Sequence, residues 1–377
     1  MWLRRKHTRT TVPQPALPRT PQPPDTVITR TFEGVGSTLS LVRVLAKVKV
    51  NTATSGETLH VTVTGPTSVL DNMTCRTQDG VALTYTPPST PMSSATLLQL
   101  LRSPRHMMSV IGELLGVTRQ RCTITAIVPK GTRLHLDAFE GDYRASGTFQ
   151  ALLGSVSHDA TVDVESIGRL HISGLSESAI TVRQLNGPAQ VSLTYNCQLQ
   201  ILSGQISRLT LRSLSESTAD IRAACGPANL NLTYNCVVSL RQLNGNLAAS
   251  MLSESHLTVT GGEGDSAVIS CTYNCVVNAR AVFANASLRM LGESFCTLGG
   301  ATQVLHASLT YNCGLDVGSS IQSIDLRALS ESDVQVSGRI GSGRISTTYD
   351  CTVQAQSIGP SVVRHMGSGS RLLVRQR

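Results

Sequence analysis

Two short phrases alternate through the second half of the chain, carrying half of its ten cysteines and a regular series of carboxylates. Tyr-Asn-Cys begins at Tyr195, Tyr234, Tyr273 and Tyr311 and returns as Tyr349-Asp350-Cys351. Midway between these lie Ser176-Glu177-Ser178, Ser215-Glu216-Ser217, Ser253-Glu254-Ser255, Gly292-Glu293-Ser294 and Ser330-Glu331-Ser332. Paired carboxylates suggest glycoside hydrolysis, which needs about 5–5.5 Å between the two groups for retention and about 6.5–9.5 Å for inversion. Rows of thiols suggest disulfides or a soft metal ion. Which of these is feasible depends on the spacing.

The middle residues run Glu177, Asn196, Glu216, Asn235, Glu254, Asn274, Glu293, Asn312, Glu331, Asp350, in steps of 19 or 20. Around them apolar and polar residues alternate, as in Ile180/Val182, Val191/Leu193, Leu199/Ile201 and Leu209/Leu211. Asn186-Gly187, Ser203-Gly204 and Asn244-Gly245 punctuate the strands. A short fixed period with two-residue alternation predicts an all-β fold, a parallel β-solenoid of about 13 rungs of about 19 residues. Residues one period apart then form a column with steps of about 4.8 Å. Glu alternating with Asn halves the charge density of that column, and each Asn amide is expected to donate to the neighbouring carboxylate. Like carboxylates recur at about 9.6 Å in equivalent pairs, which provides no unique reacting centre.

The thiol column Cys197, Cys236, Cys275, Cys313, Cys351 is interrupted by Ser178, Ser217, Ser255, Ser294 and Ser332. Successive thiols about 9.6 Å apart exceed the roughly 7 Å Cα limit for a disulfide, so free cysteines filling a tight corner are expected. The same spacing excludes a shared metal ion, and Cys271-x3-Cys275 has no matching pair nearby. The histidines fall at unrelated places in their rungs. No phosphate loop, zinc-type His pair or nucleophile elbow is present. No catalytic residue, cofactor site or metal site is expected.

The rest of the chain must position and end this array. Residues 1–26 form a basic, Pro-rich arm expected to be disordered. Residues 27–133 read as an N-terminal β region and cap, with Leu59, Val61 and Val63 alternating with His60, Thr62 and Thr64 and with Asp79-Gly80 marking a hairpin turn. Between about 88 and 118 the period changes, and Leu97, Leu98, Leu101, Val110, Ile111, Leu114 and Leu115 predict a short helical insertion split by Pro104. The solenoid repeat domain is assigned to 134–377. Aromatics make up only 3% of the chain, which suits a narrow aliphatic interior.

Net charge is +8 and is concentrated at the ends: residues 1–30 carry +5 and 360–377 carry +4, leaving −1 for the body. The basic termini suit contact with an anionic surface, and the near-neutral body argues against a nucleic-acid reader. No run of 18 apolar residues predicts a transmembrane segment. Prolines follow the basic start where a signal core would stand, so a cytoplasmic chain is expected, with a surface or extracellular location as the alternative.

Arg30-Thr31-Phe32-Glu33-Gly34 opening a Val-rich strand, Asp79-Gly80-Val81-Ala82-Leu83, and Pro129 before the stack resemble the auto-transporter adhesin head GIN domain family. The Gly-Ser-Gly corner of Met366-Gly367-Ser368-Gly369-Ser370, with Gly292-Glu293-Ser294 as an intermediate, is similar to that family's repeat. The resemblance spans most of 27–377 outside the insertion and implies a β-solenoid domain of unknown function with no catalytic residues to carry over. The leading expectation is a non-enzymatic, adhesin-like structural or interaction protein whose macromolecular partner is unnamed. The alternatives are a self-associating, bactofilin-like scaffold and a carbohydrate-active enzyme on a β-helix.

Overall fold

The computed structural model describes residues 26–54, 56–87 and 122–375. The arm through residue 25 and the helical insertion expected near 88–118 lie outside the described residues. The described chain is a parallel β-solenoid of about 13 turns, as the period requires.

A mid-array coil illustrates the design. Strands β1–β7 run Val27–Val35, Thr38–Val42, Leu45–Thr52, Thr58–Pro66, Met73–Arg76, Gly80–Tyr85 and Cys122–Val128, with a single helical turn at Thr67–Leu70. Strands β8–β14 follow at Arg133–Phe149, Ala151–Ser157, Thr161–Ile167, Leu170–Leu175, Ala179–Thr194, Gln198–Ile201 and Gly204–Leu214. β12 pairs in parallel with β13 over Ala179–Val182, and with β14 over Leu185–Gly187 and Ala189–Thr194. Each coil therefore contributes to three stacked ladders, separated by two gentle bends and one sharp corner. Gly204, at φ 107°, sits at a bend where a Cβ would run into the Leu185 carbonyl of the coil below. Glycine is required there by both conformation and contact.

Alternate residues point inward, and the interior is one continuous column of Val, Ile, Leu and Ala from Leu39 to Val362. Such residues stack well on a pleated wall and leave no room for a cavity along the axis. Large rings cluster near the N-terminal end, where Phe139 and Tyr143 meet edge to face with centroids 5.7 Å apart.

The N-terminal coils stack out of chain order. β2 and β3 pair in parallel with β8 on one side and with β6 and β7 on the other. After β1 in the outer cap the chain enters the second coil with β2 and β3, goes outward to build the first, then crosses back with β8 to build the third. The parallel stack therefore continues through residue 134 into the N-terminal region. Antiparallel strands close its outer edge: β4 on β7, β1 on β4, and β5 on β6 through the Asp79-Gly80 turn. An open parallel edge would expose a row of unpaired backbone groups, and the antiparallel cap covers it.

The hydroxyl of Tyr143 is wholly buried and has no hydrogen-bond partner among the described residues. Burial pushes its ionisation far upward. An unsatisfied buried hydroxyl costs about 1–3 kcal/mol. Tyr143→Phe is therefore expected to keep or raise the thermal midpoint. A clear drop would mean that the hydroxyl holds a buried partner.

Candidate functional site

The sharp corner is where the recurrent phrases fall. In each, two successive residues adopt the left-handed conformation: Ser176 (φ 52°) and Glu177 (φ 61°), Tyr195 (60°) and Asn196 (56°), and so on to Tyr349 and Asp350. Non-glycine residues incur roughly 1–2 kcal/mol each in this region. The offset is visible in the backbone. Glu177 N–H donates to Tyr195 O at 2.9 Å, Asn196 N–H to Ser215 O at 3.0 Å, and Glu216 N–H to Tyr234 O at 2.9 Å. Past the corner the bonding direction reverses, and Gln198 N–H donates to Ser178 O of the preceding coil at 2.8 Å. His158 and Asp159 form one more such corner, which carries neither phrase.

The residue after the left-handed pair is a buried Ser or Cys in each of the ten phrases, and a buried Ala160 at the His158–Asp159 corner. Ser178 Oγ donates to Leu175 O at 2.8 Å, and Cys197 Sγ to Thr194 O at 3.1 Å, tying the corner across three residues. Ser217 Oγ also accepts the N–H of Cys197 from the coil below at 3.2 Å. The same link joins Cys275 to Ser294, Cys313 to Ser332 and Cys351 to Ser370. A small side chain fits every corner and a small donor ties the corners of the ten phrases, which explains why both residue types occur in the column.

All ten cysteines are free. Burial pushes the Cys122 thiol up to about 11 and Cys225 and Cys296 up to about 12, and raises Cys271, Cys275 and Cys313 as well. Among the described residues, no three His, Cys, Asp or Glu side chains gather as a metal-holding group.

The central column stacks as its spacing implies: Glu177, Asn196, Glu216, Asn235, Glu254, Asn274, Glu293, Asn312, Glu331 and Asp350 follow one another coil by coil and are exposed. The expected Asn-to-Glu side-chain bonds are a different matter. Among the described residues no hydrogen bond joins these side chains, and backbone bonds hold the column. The two-coil period has a steric basis in the neighbouring column instead. There Tyr195, Tyr234, Tyr273, Tyr311 and Tyr349 alternate with Ser or Gly, and a Cβ added to Gly292 would lie 2.9 Å from Tyr273 Cδ1. The ring spills over the next coil, so a small residue must follow it.

These tyrosines remain 54–61% exposed. Just before them runs a third column in which Leu175, Leu214, Leu252, Leu291 and Leu329 alternate with Thr194, Thr233, Thr272, Thr310 and Thr348. Leucines occupy the coils that lack tyrosine. The result is a staggered Tyr–Leu stripe up one corner from Leu175 to Tyr349, roughly 43 Å at about 4.8 Å per coil. Carboxylates line its other side. An apolar band of this kind, with exposed tyrosines and leucines that are exposed or half-buried, marks an interaction surface. The sequence reading gave roles to the Asn and Cys of each phrase and none to the tyrosine; the phrases Leu-Ser-Glu-Ser and Thr-Tyr-Asn-Cys contain the signal.

A second feature lies near the N-terminal end. A groove of about 740 Å³ on the outer sheet face is lined by Lys47 and Lys49 of β3, Thr123 and Thr125 of β7, Asp142 and Arg144 of β8, Asp163 and Glu165 of β10, and Arg183 of β12. Arg183 grips Asp163 with two bonds of 3.0 and 2.7 Å, and this guanidinium holds the Asp163 carboxyl below the usual range. Glu165 accepts the N–H of Gly147 at 2.6 Å.

No family model matches the chain, and no curated protein matches it. The head GIN resemblance accordingly rests on its own quoted segments. Among solved structures, a protein named a "putative adhesin" from Parabacteroides distasonis aligns over 91% of this chain and 98% of that chain, with 7% identity and a TM-score of 0.25. A likeness at that level carries no argument, and the fold rests on the coils themselves.

Two outcomes follow from the corner. Ser217→Ala leaves the buried Cys197 N–H unpaired and is expected to cost about 1–3 kcal/mol in chemical denaturation, with Ser217→Cys costing less. Titration with Ellman's reagent near pH 8 is expected to register at most Cys75 in the folded chain, because thiolate is the reacting form, and all ten cysteines in denaturant.

Proposed function

We propose that this chain is a non-enzymatic, adhesin-like binding rod that uses the Tyr–Leu corner as its recognition surface. The observation carrying this reading is the stripe itself: aromatic residues recurring every second coil, exposed and held on a rigid stack. Tyrosine provides large amphipathic contact area at low entropy cost. An extended partner with its own regular repeat meets every tyrosine in register, and many weak contacts then add into avidity. Successive tyrosines lie about 9.6 Å apart, and a flat β-linked glycan repeats over nearly that distance every two sugars. The flanking carboxylates disfavour an acidic polymer and favour a neutral one. The head GIN resemblance of Arg30–Gly34 and Asp79–Leu83 agrees with an adhesin role. Column spacing keeps the five corner thiols apart in any redox compartment, and the Tyr–Leu corner uses no thiol.

The triple change Tyr234→Ser, Tyr273→Ser, Tyr311→Ser installs the residue that alternate coils already carry, so folding is expected to survive. Its retention on cellulose or chitin, measured by pull-down and glycan array, is expected to fall by about tenfold or more relative to the native chain. Unchanged retention would overturn the reading. Sugar release that is lost on Glu254→Gln or Glu293→Gln would replace it with the enzyme, and concentration-dependent filaments in sedimentation with the self-assembling scaffold.

A further inference from the structure

Across the outer face of the first coils the register sets one row of side chains side by side. Thr125 pairs with Lys49, Lys49 with Arg144, and Arg144 with Asp163. The Arg183 guanidinium closes the row on Asp163. A second row places Thr123, Lys47 and Asp142 in line. Lys49 and Arg144 are like charges on directly adjacent strands, an arrangement that destabilises a sheet. The acids close by relieve it only in part: Asp163 lies in register beside Arg144 and interacts with it, but none of them forms a hydrogen-bonded ion pair with either cation. Asp163 is held bidentately by Arg183, Glu165 accepts a backbone N–H from Gly147, and Asp142 has a contact of its own. Among the described residues, no ion pair includes Lys47, Lys49 or Arg144. Three exposed cations therefore converge on a groove whose nearby carboxylates are already engaged. Its volume of about 740 Å³ falls within the range of small-ligand sites.

We propose that this groove is a binding site for a short acidic oligosaccharide, one bearing carboxylate or sulfate groups on neighbouring sugars. Lys47, Lys49 and Arg144 take its anionic groups, and the hydroxyls of Thr123, Thr125 and Ser146 provide partners for its ring substituents. Charge-assisted bonds from Arg and Lys to such oxygens are the strong class of hydrogen bond. A single-stranded nucleic acid shares the anionic character, but it also calls for aromatic platforms beneath its bases, and among the described residues no aromatic side chain lines the groove. The site is independent of the Tyr–Leu corner: it shares no residue with the stripe, takes a ligand of opposite preference, and draws its three cations from β3 and β8, before the first of the recurrent phrases.

The test is isothermal titration of the full chain at low ionic strength with tetragalacturonate, a heparin-derived hexasaccharide, a neutral cello-oligosaccharide and a short single-stranded RNA. The first two arms distinguish carboxylate from sulfate as the anionic group. Binding of at least one acidic oligosaccharide and none of the neutral one is expected. Lys49→Gln with Arg144→Gln is expected to weaken it by about tenfold or more. Asp163→Asn releases Arg183 into the groove and is expected to tighten it severalfold. Arg289→Gln with Arg327→Gln, exposed positions far along the stack, is expected to leave it unchanged, as is the triple tyrosine variant. Circular dichroism establishes that each variant keeps its β structure. The proposal is overturned if the native chain binds neither acidic oligosaccharide, if the Arg289/Arg327 variant loses as much as the groove variant, if Asp163→Asn weakens binding, or if RNA binds more tightly through the same residues.

Discussion

From His158–Asp159 to Tyr349–Asp350 each coil turns back through two consecutive left-handed residues, and that turn is tolerable only because another coil lies against it. The N–H groups of Glu177, Asn196 and Glu216 each find a carbonyl in the adjacent coil, at 2.9 to 3.0 Å. An isolated coil would keep the conformational penalty and lose the bonds that offset it. Stacking and turning are thus one event, and the array is cooperative between neighbours in the manner of other solenoids. Ser217 locks the arrangement twice, once to its own coil through the carbonyl three residues back and once to the N–H of Cys197 in its neighbour, and Ser294 and Ser332 do the same. The fold depends on this small donor more than on the exposed phrase that announces it.

The doubling of the period is a separate matter, settled by size. Charge dilution in the Glu–Asn column is real as a spacing, but no side-chain bond within it accounts for the alternation. Tyr273 lying over Gly292 does. A ring that extends into the next coil's space requires a small residue there, and leucine takes the vacated volume one column earlier. Two offset alternations then fit together, which a single-coil repeat could not achieve with side chains of that size.

Much of this was readable from spacing alone, because a solenoid converts sequence distance directly into spatial distance. The coil length, the columns of Glu177 through Asp350 and Cys197 through Cys351, and the impossibility of disulfides between cysteines two coils apart all follow from steps of 19 or 20 residues. What periodicity does not encode is pairing out of order. Nothing in the alternation of Leu59, Val61 and Val63 indicates that their strand runs antiparallel on β7, or that β6 and β7 lie outside β2 and β3. The His158–Asp159 corner escaped because conformation, rather than residue identity, is what the coils share. The groove escaped for a related reason: Lys49 and Arg183 are brought to one face by strands far apart in the chain, and their residue types are unremarkable one by one.

A repeat also constrains what kind of activity a surface can have. Catalysis needs donors converging on one place, and an array that presents the same Glu in coil after coil creates many equivalent places and no privileged one. Equivalence favours multivalent recognition, in which each coil adds a weak contact to an extended partner. A unique site can arise only where the repeat is broken. In this chain the break is at the N-terminal end, where the coils stack out of order and strands from distant segments meet. There the outward positions are released from the corner's demand for alternating bulk and can hold charge instead. The uniform corner and the irregular groove are therefore two consequences of the same architecture, one from its regularity and one from the place where that regularity begins.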